Sequence, residues 1–119
     1  RVAIARTLVL RPKIVLMDEP FSALDEPTRI EMQRLIVDLW AEVQATVLLV
    51  THSIIEAVYL GDRVWVFSKA PGRIAQEILD VPPPVPGESP LKLQKSPHFL
   101  EAVDRVSEIF QRVERGEAL

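Results

Sequence analysis

No cysteine occurs in this chain, which excludes disulfides and thiolate metal sites. Glycine is scarce as well: Gly61, Gly72, Gly87 and Gly116 stand singly, and no G-x-x-x-x-G-K-[ST] run exists. The loop that cradles phosphates with its backbone is therefore missing from these residues. No apolar run is long enough to span a bilayer, the longest being Thr46 to Val50 with its neighbours. Basic residues are not in excess. The net charge is -3 at pH 7, which offers no electrostatic footprint for nucleic acid or anionic lipid and suits a protein partner better. No positively charged start leads into an apolar core as a secretory leader would, so the expected compartment is the cytoplasm. No internal repeat is found.

What is present is one domain's length, 119 residues, of which 48% are hydrophobic, enough to build a core. Val2 to Leu10 has helix-forming composition and stops at Arg11-Pro12, because proline disfavours helical geometry in the residue before it. Ile14 to Met17 is a short, unalternating apolar run, the pattern of a strand covered on both faces in a parallel sheet. Phe21 to Asp25 reads as a loop. Asp25 is a good N-cap, and Pro27 falls in the first helical turn, where its missing N–H costs nothing. Met32, Leu35, Ile36, Leu39, Trp40 and Val43 then recur at helical spacing opposite Arg34, Asp38 and Glu42, a stripe expected to face a sheet. Thr46 to Val50 is a second buried strand. Strand, helix and parallel strand imply a right-handed crossover, so the fold class is α/β.

Ser53 and Glu56 have capping-box spacing for a short helix running to about Leu60. Arg63 to Ser68 and Arg73 to Leu79 are strand-like, and Lys69 to Gly72 between them has turn chemistry, which predicts a hairpin. Pro82, Pro83, Pro84, Pro86 and Pro90 make the next stretch an extended linker. Ser96 caps and Pro97 opens a last amphipathic helix with the stripe Phe99, Val103, Val106, Phe110 and Val113, ending before Gly116. That stripe can cover its own domain or another subunit. The expected division is thus 1–80, a linker over 81–95, and a C-terminal helix over 96–119.

Asp18 and Glu19 end the first strand as adjacent carboxylates, a costly finish unless the charges meet a metal, a water or a donor. Such a pair can divide labour in ATP hydrolysis, one holding Mg²⁺ and the other orienting or deprotonating the attacking water. Alone, an Asp-Glu pair is more often two solvated charges. His52 closes the second apolar run, and parallel strands would carry it to the same edge, where ligand sites of α/β sheets gather. Alone, it is as often a capped surface or core residue. Ser22 to Asp25 serve first as the loop and cap of the next helix.

Read together and in order, Ile14-Val15-Leu16-Met17-Asp18-Glu19-Pro20, Ser22-Ala23-Leu24-Asp25 and Val47-Leu48-Leu49-Val50-Thr51-His52 resemble the second half of an ATP-binding cassette (ABC) ATPase. The resemblance covers most of the chain. It implies a partial P-loop NTPase core with a Walker B strand, a D-loop and a switch histidine. By it, Glu19 is the catalytic base, Asp18 the cofactor-binding carboxylate that holds Mg²⁺ through water, and His52 the donor to the γ-phosphate of ATP. The resemblance also implies Ser22 and Asp25 as cofactor-binding residues, in the segment that, in the family, crosses between two ATPase subunits and couples their sites. Ser53 stands where the family commonly has aspartate; both types cap helices, but any other role of that aspartate is lost.

Leu39-Trp40, Thr46-Val47-Leu48, Glu56-Ala57-Val58-Tyr59-Leu60, Asp62-Arg63-Val64 and Pro71-Gly72-Arg73-Ile74 are similar to importer subunits of the nitrate, sulfonate and taurine group. The implied partners are a second ATPase subunit in a homodimer and membrane permease subunits, with the protein peripheral at the inner face of the membrane. The missing Walker A and signature motifs, and an opening at Arg1, imply a C-terminal fragment that is inactive alone. In the resembling fold the phosphate-loop strand lies beside the histidine strand, so the isolated chain is expected to self-associate through Thr46 to Val50. The alternatives are a non-transport ABC ATPase acting on nucleic acid, against which the acidic balance argues, and a non-enzymatic interaction fragment.

Overall fold

A computed structural model describes residues 13–43, 45–69, 72–79, 81–82 and 90–117. The helix expected over Val2 to Leu10, the turn centre at Ala70 and Pro71, and residues 83–89 of the proline-rich stretch lie outside the described residues. The chain divides into two compact units, Arg1–His52 with Val85–Pro90, and Ser53–Pro84 with Leu91–Leu119.

The first unit contains β1 (Ile14–Asp18), α1 (Glu26–Val43) and β2 (Thr46–Val50). The strands pair in parallel, in register from Ile14↔Thr46 to Asp18↔Val50. Backbone bonds extend the ladder at both ends, from the Thr46 amide to the Lys13 carbonyl at 2.9 Å and from the Glu19 amide to the Val50 carbonyl at 2.7 Å. β1 ends as a pairing element at Asp18, yet the pairing carries Glu19 with it.

Burial corrects two details. β1 is not covered on both faces: Val15 and Met17 are buried, whereas Ile14 and Leu16 are 63% and 74% exposed. A parallel strand buries its second face only where another layer lies over it, and the described residues supply none there. Leu48 and Val50 are exposed in the neighbouring strand as well, so the sheet presents an open apolar face. On α1 the buried face runs through Met32, Gln33, Ile36 and Val37, rotated from the expected stripe, and Leu35 is exposed. A stripe drawn through apolar letters alone could not have included Gln33. Phe21, expected to be part of a loop, has no exposed surface and completes this unit's buried set.

The second unit contains α2 (Ile54–Leu60), the antiparallel pair β3 (Val64–Phe67) and β4 (Ile74–Ile78), all of a helical turn α3 (Pro90–Leu93) but its first residue, and α4 (Pro97–Glu114). Ser53 has extended backbone, and its hydroxyl oxygen accepts the Glu56 amide at 3.2 Å, a bond that the capping box expects. Gly61 stops α2. Its amide donates to the Ala57 carbonyl, and a Cβ at this position would stand 2.9 Å from that same oxygen, so any larger residue would have to move backbone.

The hairpin forms where expected, with a register shift between Val66 and Phe67. Ser68 ties its ends together, its amide donating to the Arg73 carbonyl and its hydroxyl oxygen accepting the Arg73 amide. Ser96 stands at the cap position of α4 but makes no side-chain cap bond. The other end of α4 follows the pattern in which a left-handed glycine lets two amides turn back: Gly116, at φ 73°, donates to Val113, and Glu117 donates to Arg112. α4 lies against α2, β3 and β4, its own chain. It buries Phe99, Ala102 and Val106, where Val58, Tyr59, Leu60, Val64, Val66 and Ile78 are also buried. Ala102 belongs to the inner face, and Phe110, placed in the stripe by sequence, is 41% exposed. Among the described residues no helix is long and apolar enough to cross a membrane.

Candidate functional site

The end of β1 and the residues after β2 build one small site within the first unit. Asp18 is the last residue of β1, opposite Val50. Glu19 follows at φ 47°, in the left-handed region, the only described non-glycine residue at positive φ. Such a conformation costs an L-residue with a Cβ roughly 1–2 kcal/mol, so the surroundings must hold it. They do so at both ends of the residue. Its amide is tied to the Val50 carbonyl at 2.7 Å, and its carbonyl accepts the Ser22 hydroxyl at 3.1 Å and the Ser22 amide at 3.4 Å. Pro20 occupies the second position of this turn, where its fixed φ is pre-set.

The consequence of the turn is where the carboxylate goes. Glu19 Oε1 lies 3.0 Å from His52 Nε2, with the side chains 32% and 91% exposed respectively. The imidazole nitrogen and the carboxylate oxygen are within ion-pair distance, and the contact is charged on both sides only when the ring is protonated. Both groups face water, so the pair fixes geometry more than it adds stability.

Of the five residues singled out by sequence, the structure brings Glu19, His52 and Ser22 together. Asp18 sits beside Glu19 in the chain, and Asp25 precedes α1, where its carbonyl accepts the Arg29 amide at 2.9 Å. Among the described residues neither joins the trio by a side-chain hydrogen bond. No group of three or more His, Cys, Asp and Glu side chains gathers to hold a metal ion among the described residues. A lone exposed carboxylate at Asp18 fits Mg²⁺, which keeps much of its water and is bound through one or two carboxylates plus phosphates. Sequence reasoning missed Phe21 and the bond from Ser22 to Glu19. The available signal was the Pro20-x-Ser22 spacing, which is turn chemistry placed directly after a strand.

No family model matches the chain. Over 120 residues it is 39% identical to the nitrate import ATP-binding protein NrtD of Synechocystis sp., an alignment covering 98% of this chain and 45% of that protein. It is 55% identical over 83 residues to the aliphatic sulfonates import ATP-binding protein SsuB 1 of Pseudomonas syringae pv. tomato, covering 69% of the chain and 30% of the relative. To an uncharacterized ABC transporter ATP-binding protein of Methanocaldococcus jannaschii it is 57% identical over 76 residues, 64% of the chain and 28% of that protein. The chain thus spans less than half the length of these relatives. Identity at this level over most of its residues, with Glu19 and His52 meeting at parallel strand ends, shows that the chain belongs to the family of ABC transporter ATP-binding subunits.

Proposed function

We propose that this chain works in the ATP-hydrolysing subunit of an ABC importer, which couples ATP binding and hydrolysis to uptake of a solute of the nitrate, sulfonate and taurine group. The observation that carries the reading is the contact of Glu19 with His52 at the ends of two parallel strands. The relatives named for nitrate and for aliphatic sulfonate import support the solute group.

In this reading the Glu19 carboxylate orients the attacking water and accepts its proton, while His52 donates to the terminal phosphate of ATP. Asp18 is the residue that would hold Mg²⁺ through water, and the ion, when bound, neutralises charge on the phosphates. Ser22 and Asp25 belong to the segment facing a second ATPase subunit, and membrane permease subunits are the partners that receive the work. The subunit acts at the cytoplasmic face of the membrane, held there by the permease. The segments 1–80, 81–95 and 96–119 act as core, linker and terminal helix.

The 119-residue chain by itself has no phosphate-cradling loop to set against its carboxylates. Calorimetry with Mg-ATP is therefore expected to show no micromolar binding, and the pure chain no steady release of phosphate. Either signal would overturn the claim that this piece is inactive alone. An intact subunit carrying the same residues should show both, and its failure to hydrolyse ATP would overturn the proposed function itself.

The isolated chain also self-associates in this reading. Ile14, Leu16, Leu48 and Val50 leave one face of the two-stranded sheet open, and the second edge of β2 pairs with no described strand. Sedimentation over tens of micromolar should show a mass that rises with concentration. A concentration-independent monomer that unfolds cooperatively would refute this.

A further inference from the structure

We propose that Ser22 is a positioning residue for Glu19, a role that rests on the reading of Glu19 as the base. The carboxylate reaches His52 from a backbone that an L-residue rarely adopts, at φ 47°. A left-handed residue at a strand end relaxes to extended backbone unless both of its peptide groups are held, and relaxation would swing its side chain to another side of the chain. The preceding peptide group is held by the 2.7 Å bond from the Glu19 amide to Val50, which is main chain and survives any side-chain change. The following one is held by Ser22 alone among the bonds described. Of its two bonds to the Glu19 carbonyl, the amide's is long at 3.4 Å and the hydroxyl's is shorter at 3.1 Å. Both are long for their kind, the hydroxyl's by less, so the hydroxyl is the better of the two locks. Ser22 is exposed and its side chain fills no core, so removing the hydroxyl removes this bond without leaving a cavity. Ser22 thus acts through the backbone of Glu19 and touches no reacting atom.

The test uses the intact subunit with Ser22→Ala, Ser22→Thr and Glu19→Gln, alone and combined. Ser22→Ala should lower kcat about five- to tenfold, the scale of one neutral hydrogen bond, with KM for ATP within roughly twofold. Ser22→Thr, which keeps the hydroxyl, should recover most of the rate. On the Glu19→Gln background, adding Ser22→Ala should change the single-turnover rate less than about twofold, because a positioning residue has nothing left to position. An unchanged kcat in Ser22→Ala overturns the proposal. So does an equal loss on both backgrounds, or a change confined to KM or to cooperativity between subunits, which would place Ser22 at the subunit interface instead. If Glu19→Gln turns over like wild type, the base assignment falls and this proposal with it. If Glu19→Gln is inactive while Ser22→Ala is normal, only the positioning role falls.

Discussion

Exchanging Glu19 for glutamine in the intact subunit is expected to leave Mg-ATP affinity within about threefold and to remove turnover by roughly 10²–10⁴-fold, the usual scale of a positioned general base. Glutamine has the same shape, and its carbonyl oxygen can still accept the His52 Nε2 hydrogen at the 3.0 Å contact. The amide cannot take a proton from water. Since the left-handed backbone of Glu19 is set by Val50 and Ser22 rather than by the carboxylate, the substitution leaves the turn in place. Turnover and nucleotide titrations on one preparation separate the two effects. A variant within a few-fold of wild type would remove Glu19 as the base, and parallel loss of affinity and rate would point to damage of the fold.

Phe21→Ala should produce the largest loss of stability in the first unit. The ring has no exposed surface, and truncating a fully buried phenylalanine costs about 3–5 kcal/mol. Against the 5–15 kcal/mol that holds a typical domain folded, this is a large fraction. The carbonyl of Phe21 also accepts the Leu24 amide at 3.2 Å, so the ring anchors the turn that leads from Glu19 to α1. Urea unfolding followed by Trp40 fluorescence in a Trp65→Phe background should show a midpoint lower by at least about 1 M. Phe21→Leu should keep the greater part of the stability, and a midpoint for Phe21→Ala within roughly 0.3 M of the parent would mean that the ring anchors nothing.

The parts of this fold that could be read from sequence are those where local chemistry decides. Ser53 with Glu56, Gly61 and Gly116 are stop and start signals whose effect depends on a few neighbouring atoms, and the helix ends fall where they stand. The hairpin follows from turn residues between two β-rich runs. What could not be read is what covers what. Ile14 and Leu16 are as apolar as Val15 and Met17, and nothing in the letters tells which pair lies against the core. Gln33 and Ala102 fall outside any stripe of large apolar residues, one being polar and the other small, although both lie inside.

The candidate site divides in the same way. The order of its residues marks them as candidates, but the geometry that joins Glu19 to His52 depends on a positive φ, which sequence favours at glycine and asparagine and does not announce at glutamate.

The position of α4 against α2 has a consequence for how the molecule is made. α2 ends at Leu60, while the residues that close over that region, Phe99, Ala102 and Val106, come much later in the chain. At ordinary synthesis rates of 5–20 residues per second, roughly two to ten seconds pass before Val106 is added. During that interval Val58, Tyr59 and Leu60 have no terminal helix to cover them, whereas β1, α1 and β2 are already complete. A ribosome that stalls in the proline-rich stretch would prolong that window, and with it the time in which chaperones or a neighbouring nascent chain can seize the uncovered helix.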